Sequence, residues 1–334
     1  FLNHLSKKAS YAPDEILALL AKAPALPEES ATLQYIDETD KTTNTAKAAL
    51  QWANTGTTAR VTKLYFDYLT NNYTGAPKGA TDVEDPRLRL LIPSSDNGKG
   101  ELILAKPIDM QSALPATGPT AYTYDAKNNQ FANGNADSVY LSLRYEKAAN
   151  GRVLSTGTWY TQKGAKGLLL TSAEMKFIAA EIRFRKGELA VALADYKSGI
   201  QQHMELLGVP ASAIQTYINS SSVVQDPGSL TLSHIMIQKY IALSYSQEQW
   251  ADLRRMDFCT DGAGNYNESL GIYKGFNKPS HVFQTSFPNA TDWPRRFAVA
   301  SYEINYNLQK VREADPDAGT PTYITKPVWW DSKN

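Results

Sequence analysis

Cysteine is almost missing from this chain of 334 residues: Cys259 stands alone, so no internal disulfide can form. A lone thiol with no histidine placed to activate it reads as an inert, partly buried side chain. Histidine is scarce as well. His4, His203, His234 and His281 are scattered without ligand spacing, which argues against a zinc site. Net charge is absent, with 34 Lys and Arg against 34 Asp and Glu, so no basic surplus points to nucleic acid or an anionic membrane. No apolar run reaches the ~18 residues needed to span a bilayer, and no signal peptide is visible. P-loop, GxSxG, HExxH, GxGxxG and EF-hand patterns are also lacking, so no cofactor or metal is implied.

Aromatic hydroxyls and indoles are plentiful. Tyr contributes 19 residues and Trp 6, side chains that join an apolar face to a polar tip. Helical patterning dominates both ends of the chain. Pro13-Asp14-Glu15 is a helix start, followed by Ile16, Leu19, Leu20 and Ala23 at helical spacing, with Pro24 and Pro27 as stops. Residues 45–53 and 59–69 read as two further helices. Residues 71–170 are rich in Gly, Pro, Asn, Thr and Asp, with short extended runs at 88–92, 102–105 and 139–143.

At Thr171 the pattern changes. Thr171-Ser172-Ala173-Glu174 is a capping box, followed by Met175, Ile178, Ala179 and Ile182 on one face and Gly187 as the stop. A second helix carries Leu189, Leu193, Tyr196 and Ile200, and Gly208 closes it. The pair reads as a tetratricopeptide-like hairpin in which Ala179, Ala180, Ala190 and Ala194 permit close approach. A third helix is expected over 231–246 and a last one over 297–313. The fold class expected is mainly α, with helix pairs and a loop-rich insertion. Its divisions are a helical part at 1–70 (N-terminally incomplete), the insertion at 71–170, helical pairs at 171–256, loops at 257–296, and a last helix and tail at 297–334.

Several clusters are candidates for function or for packing. Trp250-Ala251-Asp252-Leu253-Arg254-Arg255 reads as a core-anchored Trp beside a carboxylate–arginine network, since Arg forks grip carboxylates in two-pronged fashion. Arg295-Arg296 and the i, i+4 pair Glu303 and Asn307 read as a lock between segments, with an arginine pair meeting Glu303. Asp85-Pro86-Arg87 reads as a turn with a local ion pair. Trp329-Trp330 either stack on ligand or pin the tail. In the insertion, Tyr122, Tyr124, Asn128, Trp159 and Tyr160 are the candidate ligand-binding residues: aromatic faces among amides suit sugar rings and suit peptides too.

Taken in order, these pieces resemble the SusD/RagB family of outer-membrane lipoproteins of Bacteroidota. The resemblance is carried by 168–187, the Tyr196 to Ile200 segment, Gln238-Lys239-Tyr240, Trp250-x-Asp252-x-Arg254-Arg255, Pro294-Arg295-Arg296, Tyr302-Glu303-x3-Asn307 and Val328-Trp329-Trp330-Asp331. It departs at Tyr240, where the family often has Trp, and at Gln247-Glu248-Gln249; the family's lipidated cysteine is not seen. The resemblance implies a SusD-like α-α superhelix and a non-catalytic, surface-exposed, lipid-anchored subunit of the cell outer membrane. Such a subunit captures oligosaccharides and passes them to a TonB-dependent SusC-like transporter. A peptide-binding RagB-like subunit, a helical-repeat protein scaffold and a helical glycoside hydrolase are the rivals.

Overall fold

The computed structural model describes residues 2–23, 30–33, 60–96, 101–109, 124–125, 130–131, 143, 145–162, 165–279, 285–289 and 292–332. The expected helix at 45–53 and all but one residue of the expected strand at 139–143 lie outside them. The described chain is mainly helical. Its strands are short and pair two by two in antiparallel fashion: β1 (Ala31–Leu33) with β8 (Gly167–Leu170), β2 (Ser94–Asp96) with β3 (Leu102–Leu104), β4 (Tyr124–Asp125) with β5 (Gln130–Phe131), and β6 (Tyr145–Lys147) with β7 (Val153–Thr156). No described helix is long and apolar enough to cross a membrane.

The chain divides into two compact units, one of residues 20–246 and one of residues 1–19 with 247–334. In the larger unit, α2 (Lys63–Leu69) and the single turn α3 (Leu88–Leu91) precede α4 (Ser172–Arg185), α5 (Leu189–Leu206), α6 (Ala211–Ile218) and α7 (Leu232–Ala242), all following α1 (Pro13–Leu20) in the chain. The Thr171 hydroxyl accepts the Glu174 amide at 3.1 Å and starts α4 where the sequence placed the cap. Gly187, at φ +79°, turns the chain into α5. The two helices form an antiparallel hairpin held by an Arg183–Asp195 ion pair, and α4 and α5 both pack on α7. Phe177, Ile182, Ala192, Tyr196 and Ile200 are fully or almost fully buried between them.

Close approach in this hairpin uses Ala179 and Ala180 of α4, both buried as expected, but not the expected alanines of α5. Ala190 and Ala194 are exposed, while buried Ala192 and Gly199 face the seam. A Cβ at Gly199 would stand 2.8 Å from the Phe177 ring. Residues 88–92 form the helical turn α3 and not a strand. The Asp85 carboxylate takes the Arg87 amide at 2.9 Å and the Asp85 carbonyl takes the Leu88 amide at 2.9 Å, so Asp-Pro opens a helical turn. The third helix stops at Ala242 because Tyr245 takes φ +66°, which a helix cannot continue through. Sequence periodicity missed α6 altogether.

The smaller unit holds α8 (Glu248–Arg255), α9 (Ser301–Tyr306) and α10 (Leu308–Ala314). The helix expected over 297–313 is thus two, broken at Asn307 with φ −140° and ψ 25°. After α8 the chain turns through left-handed Asp257 and Phe258, and the Phe258 ring stacks on Trp293 at 4.5 Å.

Replacing Gly199 by Ala tests the seam. Helix propensity alone would stabilise the variant by about 0.5–1 kcal/mol, whereas overpacking against Phe177 costs about 1–3 kcal/mol. Chemical denaturation should show net destabilisation; a more stable Gly199→Ala protein would contradict the packing described.

Candidate functional site

Arg87 is fully buried and places its whole guanidinium inside the larger unit. Its Nη2 donates to Asp85 Oδ2 at 2.6 Å and to Gln238 Oε1 on α7 at 2.7 Å, and its Nε donates to Asp85 Oδ1 at 3.0 Å. Its Nη1 meets His203 Nδ1 on α5 at 3.2 Å, and His203 Nε2 meets the Tyr160 hydroxyl at 3.3 Å. The turn read as a local ion pair is therefore the hub of a buried network. A charge costs several kcal/mol to bury unless it is paired and hydrogen-bonded, and here Asp85 and Gln238 do both.

Tyrosines surround this hub. Tyr65 exchanges a hydrogen bond with Ser244 at 2.6 Å, Tyr68 meets Tyr240 and Tyr73 edge-on, and Tyr196 and Tyr217 are buried. Burial pushes the phenols of Tyr65, Tyr160, Tyr196 and Tyr217 well above their usual range, so all stay neutral. His203 is driven the other way, well below 6.5, first by burial and then by the Arg87 charge.

Tyr160 lies in a 3-10 turn, Trp159–Thr161, closed by the Thr161 hydroxyl accepting the Thr158 amide at 2.7 Å. Its ring forms one wall of a cavity of about 180 Å³, whose other walls are β8 with its flanks (Ala165 to Thr171), Glu174 of α4, and the end of α7 through Ser246. An apolar cavity of about 150 Å³ admits benzene, so the space matches one six-membered ring. Tyr245 stands in the last of these walls, 51% exposed, its ring 5.1 Å from that of Tyr160. A bulky residue at positive φ is strained, and such strain persists only where the surroundings impose it. The lining mixes leucines (Leu168, Leu169, Leu170, Leu243) with hydroxyls (Thr161, Thr171, Ser244, Ser246) and one charge of each sign, Lys166 and Glu174.

Of the sequence candidates, Tyr160 lines the cavity. Trp159 stands edge-on to Tyr160 at 5.1 Å and packs against the core, outside the lining. Tyr124 pairs with Phe131 through β4 and β5. Tyr122 and Asn128 lie outside the described residues. Tyr245 was missed, because nothing in Leu243-Ser244-Tyr245-Ser246 marks a left-handed backbone that Gly or Asn usually takes.

The Trp250 cluster and the arginine pairs gather in the smaller unit. Trp250 is half-buried and not a core anchor: its indole donates to the Pro294 carbonyl at 3.2 Å, and its ring faces Arg254 at 3.8 Å and Phe297 at 4.9 Å. Arg254 also lies 4.4 Å from Trp330, so one guanidinium is sandwiched between two indoles. Arg255 pairs with Asp252 at 2.6 Å. Arg295 does not lock onto Glu303. It donates to Asp257 and to buried Asp331, each at 2.7 Å, and Lys7 joins both carboxylates. Arg296 reaches the Lys326 carbonyl and the Tyr323 hydroxyl, each at 2.7 Å. Glu303 accepts from Asn307 at 3.1 Å, an i, i+4 contact within α9 and its cap. Trp330 packs on Arg254 and His4, whereas Trp329 is exposed. Among the described residues no group of three His, Cys, Asp or Glu side chains is placed to hold a metal.

His203 gives a pH test of the network. Its folded pKa lies below the unfolded value near 6.5. Its contribution is thus complete above that pH and is lost as pH falls below it, at about 1.4 kcal/mol per pH unit. Wild-type protein should lose stability between pH 6.5 and 5 faster than His203→Gln by that slope; parallel curves would contradict burial of a neutral imidazole.

The SusD-like family described as starch-binding and associating with the outer membrane matches residues 81–271. The fold is similar to that of a SusD homologue from Parabacteroides distasonis ATCC 8503, with 15% identity, TM-score 0.57, and coverage of 100% of this chain and 64% of that one. A SusD-like protein of Bacteroidetes shows 16% identity and TM-score 0.58 over 99% of this chain and 67% of its own. A chitin-binding protein shows 18% identity and TM-score 0.55 over 99% and 62%. This chain therefore spans about two thirds of the length of these solved structures. No curated protein matches. The family match covers more than half of the chain, and with it the buried Arg87 hub, the α4–α5 hairpin and both tyrosines of the cavity: this chain belongs to the SusD-like family.

Proposed function

We propose that this chain is a non-catalytic binding subunit of the outer membrane that holds an oligosaccharide in the Tyr160–Tyr245 cavity and passes it to a TonB-dependent SusC-like transporter. The observation that carries the reading is the strained, exposed Tyr245 set against Tyr160 in a cavity the size of one ring. A sugar presents C–H groups on one face and hydroxyls around its edge. The tyrosine rings suit the face, and Ser246, Lys166 and Glu174 in the lining suit the edge. Family membership, and the starch named in the family's description, support a glucan or a related polymer.

Binding without hydrolysis is supported by the lining itself. Glycosidases set two carboxyl groups on either side of the scissile bond, about 5–9.5 Å apart, and among the described residues Glu174 is the single carboxylate in the lining. A shallow site of this kind yields affinities on the order of micromolar or weaker, because ordering costs consume much of the contact energy. Weak retention suits hand-over. Surface exposure on a lipid anchor is part of the same proposal, as are the contributions of Tyr122, Tyr124, Asn128 and Trp159 from the insertion.

A peptide is the second reading, favoured by β8: its leucines 168–170 line the cavity, and β1 is its one partner strand among the described residues. Backbone amides on a strand edge recruit extended peptides.

Native affinity gels with soluble starch or glycol chitin test the proposal. Tyr245→Gly should lose retardation by tenfold or more, equivalent to about 1.4 kcal/mol. Stability should change by less than about 1 kcal/mol, because relief of backbone strain offsets the lost ring contact. Unchanged retardation would remove the cavity from the site. Stabilisation by leucine-rich peptides in place of glycans would favour the second reading.

A further inference from the structure

The buried hub fixes more than the fold. A guanidinium carries only N–H groups and cannot accept a hydrogen bond. Where Arg87 Nη1 meets His203 Nδ1 at 3.2 Å, the imidazole nitrogen must therefore present its lone pair. A neutral imidazole has one ring proton, and that proton is left on Nε2. Nε2 points at the Tyr160 hydroxyl at 3.3 Å, so the hydroxyl oxygen accepts. Arg87 in turn is held by Asp85 and Gln238, and Gln238 uses its carbonyl oxygen to accept from Nη2. Each link has one permitted direction.

We infer that His203 is a positioning residue for ligand binding: Arg87 imposes its Nε2–H tautomer, and that N–H anchors the Tyr160 hydroxyl so that the ring stays against Tyr245 as the cavity wall. The inference rests on the reading of the cavity as the ligand site. His203 is completely buried and lies outside the cavity lining, so it acts through Tyr160 and touches no ligand. The ring it anchors is a lining residue, with Tyr245 5.1 Å away and Trp159 edge-on behind at 5.1 Å. Two rings brace Tyr160 from the sides, and the hydrogen bond fixes it at the tip. Depression of the His203 pKa by burial and by Arg87 keeps the imidazole neutral and the anchor intact at neutral pH.

Nitrogen-15 NMR of the full chain reads the tautomer directly. Between pH 6.5 and 8, Nδ1 of His203 should resonate as a bare nitrogen and Nε2 as a protonated one. The opposite tautomer, or exchange between the two, would overturn the inference. Ring positioning is read by nuclear Overhauser contacts between Tyr160 and Tyr245, which should weaken in His203→Phe and in Tyr160→Phe; the latter removes one hydroxyl and leaves Arg87 and His203 in place. With maltoheptaose or chitohexaose as probe, each variant should bind about three- to tenfold more weakly, the loss of one hydrogen bond. The double variant should be no worse than either single one, because both cut the same link. His203→Gln, which keeps a donor toward Tyr160, should restore most of the affinity.

The outcomes separate the two ideas. If Tyr160→Ala abolishes sugar binding but His203→Phe keeps both the ring contacts and the affinity, the inference fails and the cavity reading stands. If the wild type binds neither sugar, or Tyr160→Ala binds as wild type does, the cavity reading fails; the tautomer and the ring contacts still decide whether His203 anchors Tyr160.

Discussion

A cation with no access to water governs the larger unit. Arg87 cannot shed its proton, so its charge must be met inside the protein. Asp85 meets it from two residues away, Gln238 from α7 and His203 from α5. The last two lie on different helices of the core, α7 and α5. Directional bonds to one planar group tie the two helices together, because a fork of five donors has a fixed geometry. The apolar seam of Phe177, Ile182, Tyr196 and Ile200 supplies the burial, and the guanidinium supplies the register.

The cavity inherits this rigidity. One wall begins at Tyr160, tied to the hub through His203; another follows α7, whose body carries Gln238 and whose end at Ala242 leads into a strained Tyr245. Strain of this type costs about 1–3 kcal/mol and is kept where the frame over-determines it. A rigid frame beside a site loses little entropy when ligand binds, which matters most for a weak, reversible binder. The smaller unit uses the same chemistry differently. There Asp331 and Asp257 bridge Arg295 and Lys7, and Trp250 and Trp330 hold Arg254, so that residues 2–7 and 329–331 are fastened to α8.

The helical frame was legible in the sequence where periodicity and caps agreed, as at Thr171 and Gly187. It was less legible where backbone chemistry overrides apolar pattern: Asp85-Pro86 turns an apolar run into α3, and Asn307 splits the last helix. The partners of Arg87 lie 116 and 151 residues along the chain, and no local pattern reveals that a surface-looking turn will be enclosed. The same holds for Arg295, whose carboxylates are Asp257 and Asp331 and not Glu303. Tyr160 was found from its aromatic character, whereas Tyr245 owes its place to a backbone conformation that its residue type disfavours. Family resemblance, by contrast, was readable because it rests on ordered signatures, and these also carry the frame.

The position of a bound sugar tests the cavity most directly. A crystal structure of the full chain soaked with maltoheptaose or chitohexaose should show one ring between Tyr245 and the β8 leucines, against the Tyr160 wall, with Tyr245 still at positive φ. Sugar ordered elsewhere on the molecule, with this cavity empty, would contradict it.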